Sequence, residues 1–327
     1  MSAPRQVWRV LYPVGIHFLA AQLVAYAALW IVCGVMGYGT EFFLAQSVLY
    51  TGITDLVVIV PCLYFYKKDR FARVQSGMVS VWNPRHGSGA SDGKYEQATH
   101  ETAKRSSAGW NGRIGGTERI GGTDRIGATE RTERTGFRPG QLTLGSGVLL
   151  LVMGAAFSQF TNFLVALLQN YLHYEQYQET MDQITAGKSL LFLIVCMGLL
   201  APIAEEMVFR WLIYLRLRDS FRMGTAMVLS GLIFGIYHGN LVQAFYAGIL
   251  GMVFAYFLEL SGNLLSSILL HIGANVWSLT FSEFAPTLLE KNPGSILLIY
   301  AFFLAALIGG TRYFQRRADQ RNRKRLL

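Results

Sequence analysis

The segment APIAEEMVFRW at residues 201–211 places two carboxylates and a guanidinium group in an otherwise apolar run. On a helix, Glu206 and Arg210 are four residues apart, share a face and can form an ion pair. Glu205 points about 100° away and is available to a different partner. A buried ion pair that serves packing accounts for one glutamate but not for two, so the second is a candidate acid or base. Pro202, one turn earlier, is expected to perturb the helix and free a backbone carbonyl.

The segment GLIFGIYHGN at residues 231–240 adds an imidazole in similar surroundings. Phe234 and His238 are four residues apart and lie on one helical face. The glycines at positions 231, 235 and 239 predict the close approach of a second helix. Taken alone, the pattern favours an interfacial histidine near a helix end.

The segment LLHIGANVW at residues 269–277 contributes a second imidazole and a carboxamide. His271 and Asn275 are four residues apart, so their side chains aim the same way. Together they can donate hydrogen bonds to one developing oxyanion. The alternative is a polar contact between helices, which is common in membrane bundles.

The depth of these groups along their helices favours a shared site. With a helical rise of about 1.5 Å per residue, Glu206 lies roughly 18 Å from Arg218, and His271 lies roughly 13 Å from Gly262. The same rise places His238 roughly 22 Å from Met223. Three helices thus hold ionisable groups in one layer, as a common hydrated cavity predicts. Burying a charge at mid-membrane costs at least about 2.5–3.5 kcal/mol, so such groups are functional candidates.

The helices that position these groups follow from the composition. The 327 residues are 52% hydrophobic and only 15% charged, whereas soluble domains average about 25% charged residues. The predicted fold class is therefore all-α, a polytopic transmembrane bundle of about eight spans near the 20 or so residues that cross a bilayer. The predicted spans are residues 11–37, 43–66, 141–172, 188–217, 223–240, 241–260, 263–282 and 295–311.

The basic residues predict the orientation and the domain boundaries. Lys and Arg are concentrated in every second connection between spans, as expected for a cell-membrane protein with both termini in the cytoplasm. We favour a bacterial host. Two N-terminal helices (1–66) precede a disordered cytoplasmic loop (67–140), a membrane-embedded domain (141–311) and a basic tail (312–327). The net charge of +9 is explained by topology and anionic lipid, and no nucleic-acid-binding module is present.

The predicted loop contains three tandem hexapeptides, RIGGTE, RIGGTD and RIGATE, across residues 113–130. Its Gly, Ser, Thr, Arg and Glu residues bury too little apolar surface to offset the entropy of folding. A partner-binding array is one interpretation. We favour a tolerated repeat expansion in a surface loop.

The three motifs EExxxR, FxxxH and HxxxN, in this order and in separate spans, resemble the CPBP family of intramembrane proteases. That family includes the type II CAAX prenyl endopeptidases and bacterial bacteriocin-processing or self-immunity proteins. The resemblance covers about residues 145–311 and leaves out the first two spans and the repeats. The matching residues are Glu205, Glu206, Arg210, Phe234, His238, His271 and Asn275.

The resemblance implies an endopeptidase that cleaves a membrane-associated protein or peptide. By this analogy, Glu205 is the general base for a water molecule that His238 helps to bind. His271 and Asn275 form the oxyanion hole, while Glu206 and Arg210 support the site. The residue chemistry agrees, because peptide hydrolysis needs a base for water and donors for the tetrahedral oxygen.

The sequence leaves the role of a metal open. Glu205, His238 and His271 match the ligand types of a catalytic zinc site. Histidine ligands usually need second-shell acceptors, and the sequence does not identify them. The resembling family has been classed with metalloproteases, although a metal-free glutamate mechanism is also proposed for it. We favour the metal-free chemistry and keep a divalent cation such as zinc as the alternative.

Two other functions remain open at this point. A noncatalytic membrane adaptor or bacteriocin self-immunity protein would keep the same fold, because a fold does not prove turnover. A small transporter is the third reading, since intramembrane charge pairs also serve proton relays, but no inverted repeat is visible. Asp55 lies in the middle of the second span. His17 and Glu259 lie near span ends, where an interfacial role is expected.

Overall fold

The computed structural model describes residues 3–75, 141–171 and 174–323, and this part of the chain is helical with no strand. The N-terminal helices are α1 (Ala3–Leu29), which continues into a π-helical turn (Trp30–Val35), α2 (Thr40–Ala45) and α3 (Ser47–Gln75). After the gap come α4 (Leu144–Leu167), α5 (Tyr174–Thr185) and the long helix α6 (Leu190–Arg218). The chain then forms α7 (Met223–Tyr237), α8 (Leu241–Ser261), α9 (Leu265–Lys291) and α10 (Ser295–Arg323).

The predicted all-α membrane class is confirmed, and all eight predicted spans coincide with helices. In the described chain, six helices are long and apolar enough to cross a bilayer; α7 is apolar but shorter, and α9 does not meet that criterion. A membrane-spanning helix satisfies every backbone hydrogen bond within its own segment, which explains the class. The chain is a multi-pass membrane protein, while the count of eight spans stays a prediction.

Two predicted boundaries are displaced in the structure. Helix α3 continues to Gln75, so the boundary at residue 67 falls inside a helix. Helix α10 continues to Arg323, so most of the predicted basic tail extends the last helix. The hexapeptide repeats at 113–130 lie outside the described residues.

Helix α6 occupies the centre of the bundle. It contacts α1, α3, α7 and α9, while α4 packs along α9 and α7 packs along α8. Its buried side chains form the largest apolar cluster of the described chain, together with residues from α3, α7 and α8. The segment that carries the two adjacent glutamates is therefore surrounded by protein.

The pairing of α7 with α8 depends on glycine. A Cβ at Gly235 would overlap the Ala244 carbonyl, and one at Gly231 would lie 2.7 Å from the Gly248 carbonyl. The predicted close approach is thus confirmed for two of the three glycines. Gly239 was wrongly included: it has a φ of +73° with open space around it, so it serves the turn that ends α7.

Basic and acidic side chains meet at one end of the bundle. Arg216 of α6 donates to Asp69 of α3 at 2.5 Å and to the Arg9 carbonyl of α1 at 2.6 Å. Arg218 donates to Glu259 of α8 at 2.6 Å. These contacts agree with the predicted grouping of the basic residues on one side, and the side of the membrane that they face stays a prediction.

Candidate active site

Glu206 is the central contact of the polar cluster. Its Oε1 atom lies 3.0 Å from Nη1 of Arg210 and accepts a hydrogen bond from Nδ1 of His271 at 2.9 Å. Glu206 and Arg210 are completely buried. The predicted pairing of residues four apart is therefore confirmed, and the same carboxylate also orients a histidine from α9.

Aromatic rings enclose the buried guanidinium group. Arg210 lies over the ring of Phe234 at 4.4 Å and beside that of Phe254 at 5.4 Å. A cation over an aromatic face is attracted by the ring quadrupole, and more strongly where water is excluded. Gly251 provides the room, because a Cβ there would lie 2.8 Å from Nη2 of Arg210.

Glu205 turns to the other nitrogen of the same imidazole. Its Oε2 atom lies 3.6 Å from Nε2 of His271, and its side chain is 17% exposed, whereas Glu206 has no exposure. His271 thus lies between two carboxylates, of which Glu206 is fully buried and Glu205 is partly exposed. Such a division suits one supporting acid and one reactive acid, since a base must be reachable by water.

His238 lies at the C-terminal end of α7, where it is half-buried. Its Nδ1 atom is 2.8 Å from the Phe234 carbonyl oxygen. A carbonyl only accepts, so Nδ1 carries the proton and Nε2 of the neutral ring keeps its lone pair. The Phe234 ring lies 4.8 Å from the His238 ring and 5.7 Å from the His271 ring, so one buried aromatic residue links the two histidines.

Asn275 is tied to a carbonyl that proline leaves unpaired. Two π-helical segments, Ile194–Leu200 and Met207–Tyr214, flank the glutamates in α6. The Ala201 N–H bonds to the Cys196 carbonyl five residues earlier. In this register the next donor to Met197 would be residue 202, which is proline and has no N–H. Nδ2 of Asn275 donates to the Met197 carbonyl instead, at 2.9 Å.

This contact bears on two expectations. Pro202 does free a backbone carbonyl, as predicted. One N–H of Asn275 serves contact between helices, which was the alternative to its role in an oxyanion hole. A carboxamide has two N–H donors, so the oxyanion role of Asn275 stays a prediction that rests on its second N–H.

The histidine acceptors that the sequence did not identify are now clear. His271 uses Glu206, and His238 uses the Phe234 carbonyl. These are the partners that orient metal-ligating histidines. However, no three His, Cys, Asp or Glu side chains in the described part of the chain are grouped so as to hold a metal ion. The donor types of Glu205, His238 and His271 match zinc, but their arrangement does not fit it, and no catalytic step is assigned to a metal.

A second buried polar group was missed by the sequence reasoning. His17 was expected at an interface, yet it is 6% exposed, and its Nε2 atom lies 3.6 Å from Oδ1 of Asp55, which is 2% exposed. The Tyr237 hydroxyl bonds to Nδ1 of His17. The mid-span position of Asp55 was the available signal, because a carboxylate at that depth needs a partner.

The structure therefore brings Glu205, Glu206, Arg210 and His271 into direct contact, with His238 adjoining through Phe234. Asn275 contacts the same helix as the two glutamates, because its Nδ2 atom donates to the Met197 carbonyl of α6. Polar side chains from α6, α7 and α9 therefore lie close to one another, as the depth argument predicted, while the common hydrated cavity stays a prediction. An acid, a lone-pair nitrogen and N–H donors in one place can activate water and stabilise an oxyanion.

Comparison with known proteins identifies the same region. Residues 187–277 match the family model described as Type II CAAX prenyl endopeptidase Rce1-like. The match confirms the resemblance drawn from the three motifs, and it includes all of them. It excludes α1, α3 and α4. No curated protein and no solved structure matches the chain.

Proposed function

We propose that this protein is an intramembrane endopeptidase that hydrolyses a peptide bond of a membrane-associated protein or peptide. The observation that carries the proposal is the position of His271, held by the buried Glu206 at 2.9 Å and facing the partly exposed Glu205 at 3.6 Å. The match of residues 187–277 to a family of prenyl endopeptidases supports the reaction class.

Glu205 is the general base of the proposed reaction. It takes one proton from a water molecule while the water oxygen attacks the substrate carbonyl carbon. The lone pair on Nε2 of His238 accepts a hydrogen bond from the second water proton and so orients the attack. When the tetrahedral intermediate collapses, Glu205 returns its proton to the leaving amine. General acid–base catalysis of this kind contributes about 10²–10⁴-fold in rate.

His271 and Asn275 stabilise the oxyanion in this scheme. Because Nδ1–H of His271 is directed at Glu206, donation from Nε2 requires the doubly protonated ring. Glu205 and Glu206 balance that positive charge. Asn275 adds its second N–H, since its first is bound to Met197. Removal of one such donor costs about 10²–10³-fold in kcat.

The test compares wild type with Glu205→Gln, which keeps the size of the side chain and removes the base. Membrane peptides of the two strains are compared by proteomics, and a precursor that accumulates in the variant is then given to the purified full-length protein in liposomes. A prenylated CAAX peptide is the first defined probe. Glu179→Gln, an exposed acid on α5, is the matched control.

The expected result is a loss of cleavage of at least about 10²-fold in Glu205→Gln, with wild-type rates in the control. Cleavage by Glu205→Gln at the wild-type rate contradicts the proposal. A cellular phenotype that survives the substitution while no peptide is cleaved by either protein supports the adaptor or immunity reading instead.

A further inference from the structure

Helices α1 and α3 carry a buried acid–imidazole pair outside the region that matches the family model. His17 of α1 and Asp55 of α3 lie 3.6 Å apart, and both are almost completely buried. Oδ2 of Asp55 has no hydrogen-bond partner among the described protein atoms. Two ionisable groups are costly inside a bilayer, so this pair needs an explanation beyond packing.

Tyr237, the residue before His238, contacts the histidine of this pair. The Tyr237 hydroxyl bonds to Nδ1 of His17, and the two rings meet edge to face at 5.3 Å. The Tyr237 ring also lies 5.3 Å from the Phe209 ring of α6. Side chains of α1 and α6 thus contact Tyr237 directly, and Asp55 of α3 supports the α1 contact through His17.

Asp55, His17 and Tyr237 form a chain of polar contacts, and the position of each proton in it follows from the neighbouring group. An ionised Asp55 favours a proton on the facing Nε2 of His17. The Nδ1 atom of the neutral ring is then an acceptor, and the Tyr237 hydroxyl is the donor.

The chain reaches the candidate site at the residue that follows Tyr237. The ring centroids of Tyr237 and His238 lie 6.2 Å apart at the C-terminal end of α7. The His238 ring in turn packs against Phe234, whose ring also meets that of His271.

We propose that Tyr237 is a positioning residue of the active site, and that His17 and Asp55 hold its hydroxyl in place and so fix the end of α7 that carries His238. The inference rests on the proposed function. It means that α1 and α3, which carry none of the three family motifs, complete the site. Tyr237 acts through His238 by keeping the imidazole in its reactive orientation.

The test uses the full-length protein in liposomes with a cleaved peptide, and it measures kcat and KM separately for each folded molecule. Tyr237→Phe removes a single oxygen and keeps the ring against Phe209. We expect kcat to fall about tenfold with KM unchanged, because the ring no longer bonds to His17 and the end of α7 that carries His238 is held less firmly. Tyr300→Phe removes a hydroxyl that accepts a hydrogen bond from Nε2 of Gln159 on α4; it is the matched control and keeps its activity.

The kcat of a double variant shows whether Asp55, His17 and Tyr237 act as one unit or independently. His17→Gln and Asp55→Asn each lower kcat, and the double variant Tyr237→Phe with Asp55→Asn is no slower than the slower single variant. Losses that multiply, or a Tyr237→Phe variant with wild-type kcat, overturn the inference. If substitutions at His17 or Asp55 prevent folding, Tyr237→Phe alone decides.

The inference and the proposed function fail in different ways. If Glu205→Gln removes cleavage while Tyr237→Phe changes nothing, only the positioning role is wrong. If Glu205→Gln cleaves normally, the proposed function fails first and the role of Tyr237 falls with it.

Discussion

Replacement of Glu206 by glutamine tests the central contact of the site. The side chain keeps its shape, but the carboxylate that faces Arg210 at 3.0 Å and His271 at 2.9 Å loses its charge. Neither Glu206 nor Arg210 has any exposed surface. The guanidinium group then loses its ion-pair partner and stays buried against the faces of Phe234 and Phe254.

The expected loss is large for a single isosteric change. Removal of one partner of a buried ion pair costs about 3–5 kcal/mol, because the remaining charge stays buried and unpaired. The glutamine oxygen still accepts from Nδ1 of His271, but without its charge. Loss of a hydrogen bond to a charged orienting partner reduces activity about 10–100-fold. The free energy of unfolding is measured in mixed micelles, and activity is measured per folded molecule.

A double variant separates charge from packing. Glu206→Gln with Arg210→Met removes both charges and keeps an unbranched apolar side chain against Phe234. We expect it to recover at least about 2 kcal/mol relative to Glu206→Gln alone, since a buried pair can be replaced by apolar groups at little cost. Activity stays low, because His271 still lacks its carboxylate. A Glu206→Gln variant as stable as wild type, or a double variant less stable than the single, refutes this account of the ion pair.

Three further predictions concern packing, the polar end of the bundle and metal dependence. Gly235→Ala forces α7 away from the Ala244 carbonyl and destabilises the protein by about 1–3 kcal/mol. Gly224→Ala on the same helix, where a Cβ meets open space, is neutral or stabilising by up to about 1 kcal/mol; equal effects in thermal unfolding would contradict the packing argument. Asp69→Asn takes the carboxylate from the buried Arg216 and lowers the unfolding free energy by about 1.5–3 kcal/mol, against a change within about 0.5 kcal/mol for the exposed Glu179→Gln. Prolonged dialysis against a chelator leaves the cleavage rate of the reconstituted protein unchanged, and a loss that zinc restores would show that the metal-free scheme is wrong.

Local geometry explains which parts of the site could be predicted from the sequence. Glu206 and Arg210 lie on one helix, and the helical repeat alone places residues four apart on the same face. The effect of Pro202 is equally local, because its missing N–H acts on a carbonyl within the same helix. The helical class follows from the bilayer, which admits few ways to satisfy the backbone. The ends of the helices were less accurate: α3 and α10 extend past the apolar residues on which the predicted spans were based.

The contacts between helices could not be predicted in this way. His17, Asp55 and Tyr237 each stand in a separate apolar run, and 220 positions of sequence separate the histidine from the tyrosine that it bonds. The sequence likewise does not predict that Glu206 rather than Glu205 accepts the hydrogen bond from Nδ1 of His271. Nor does it predict that Asn275 donates one hydrogen bond to the Met197 carbonyl. Those outcomes depend on how each helix is rotated about its axis and where it crosses its neighbours. Rotation and crossing are decided by packing over the whole interface, including glycines such as Gly235, and no short motif encodes them. The sequence by itself determined the helices and the chemistry available on each; only the tertiary structure decided which groups meet.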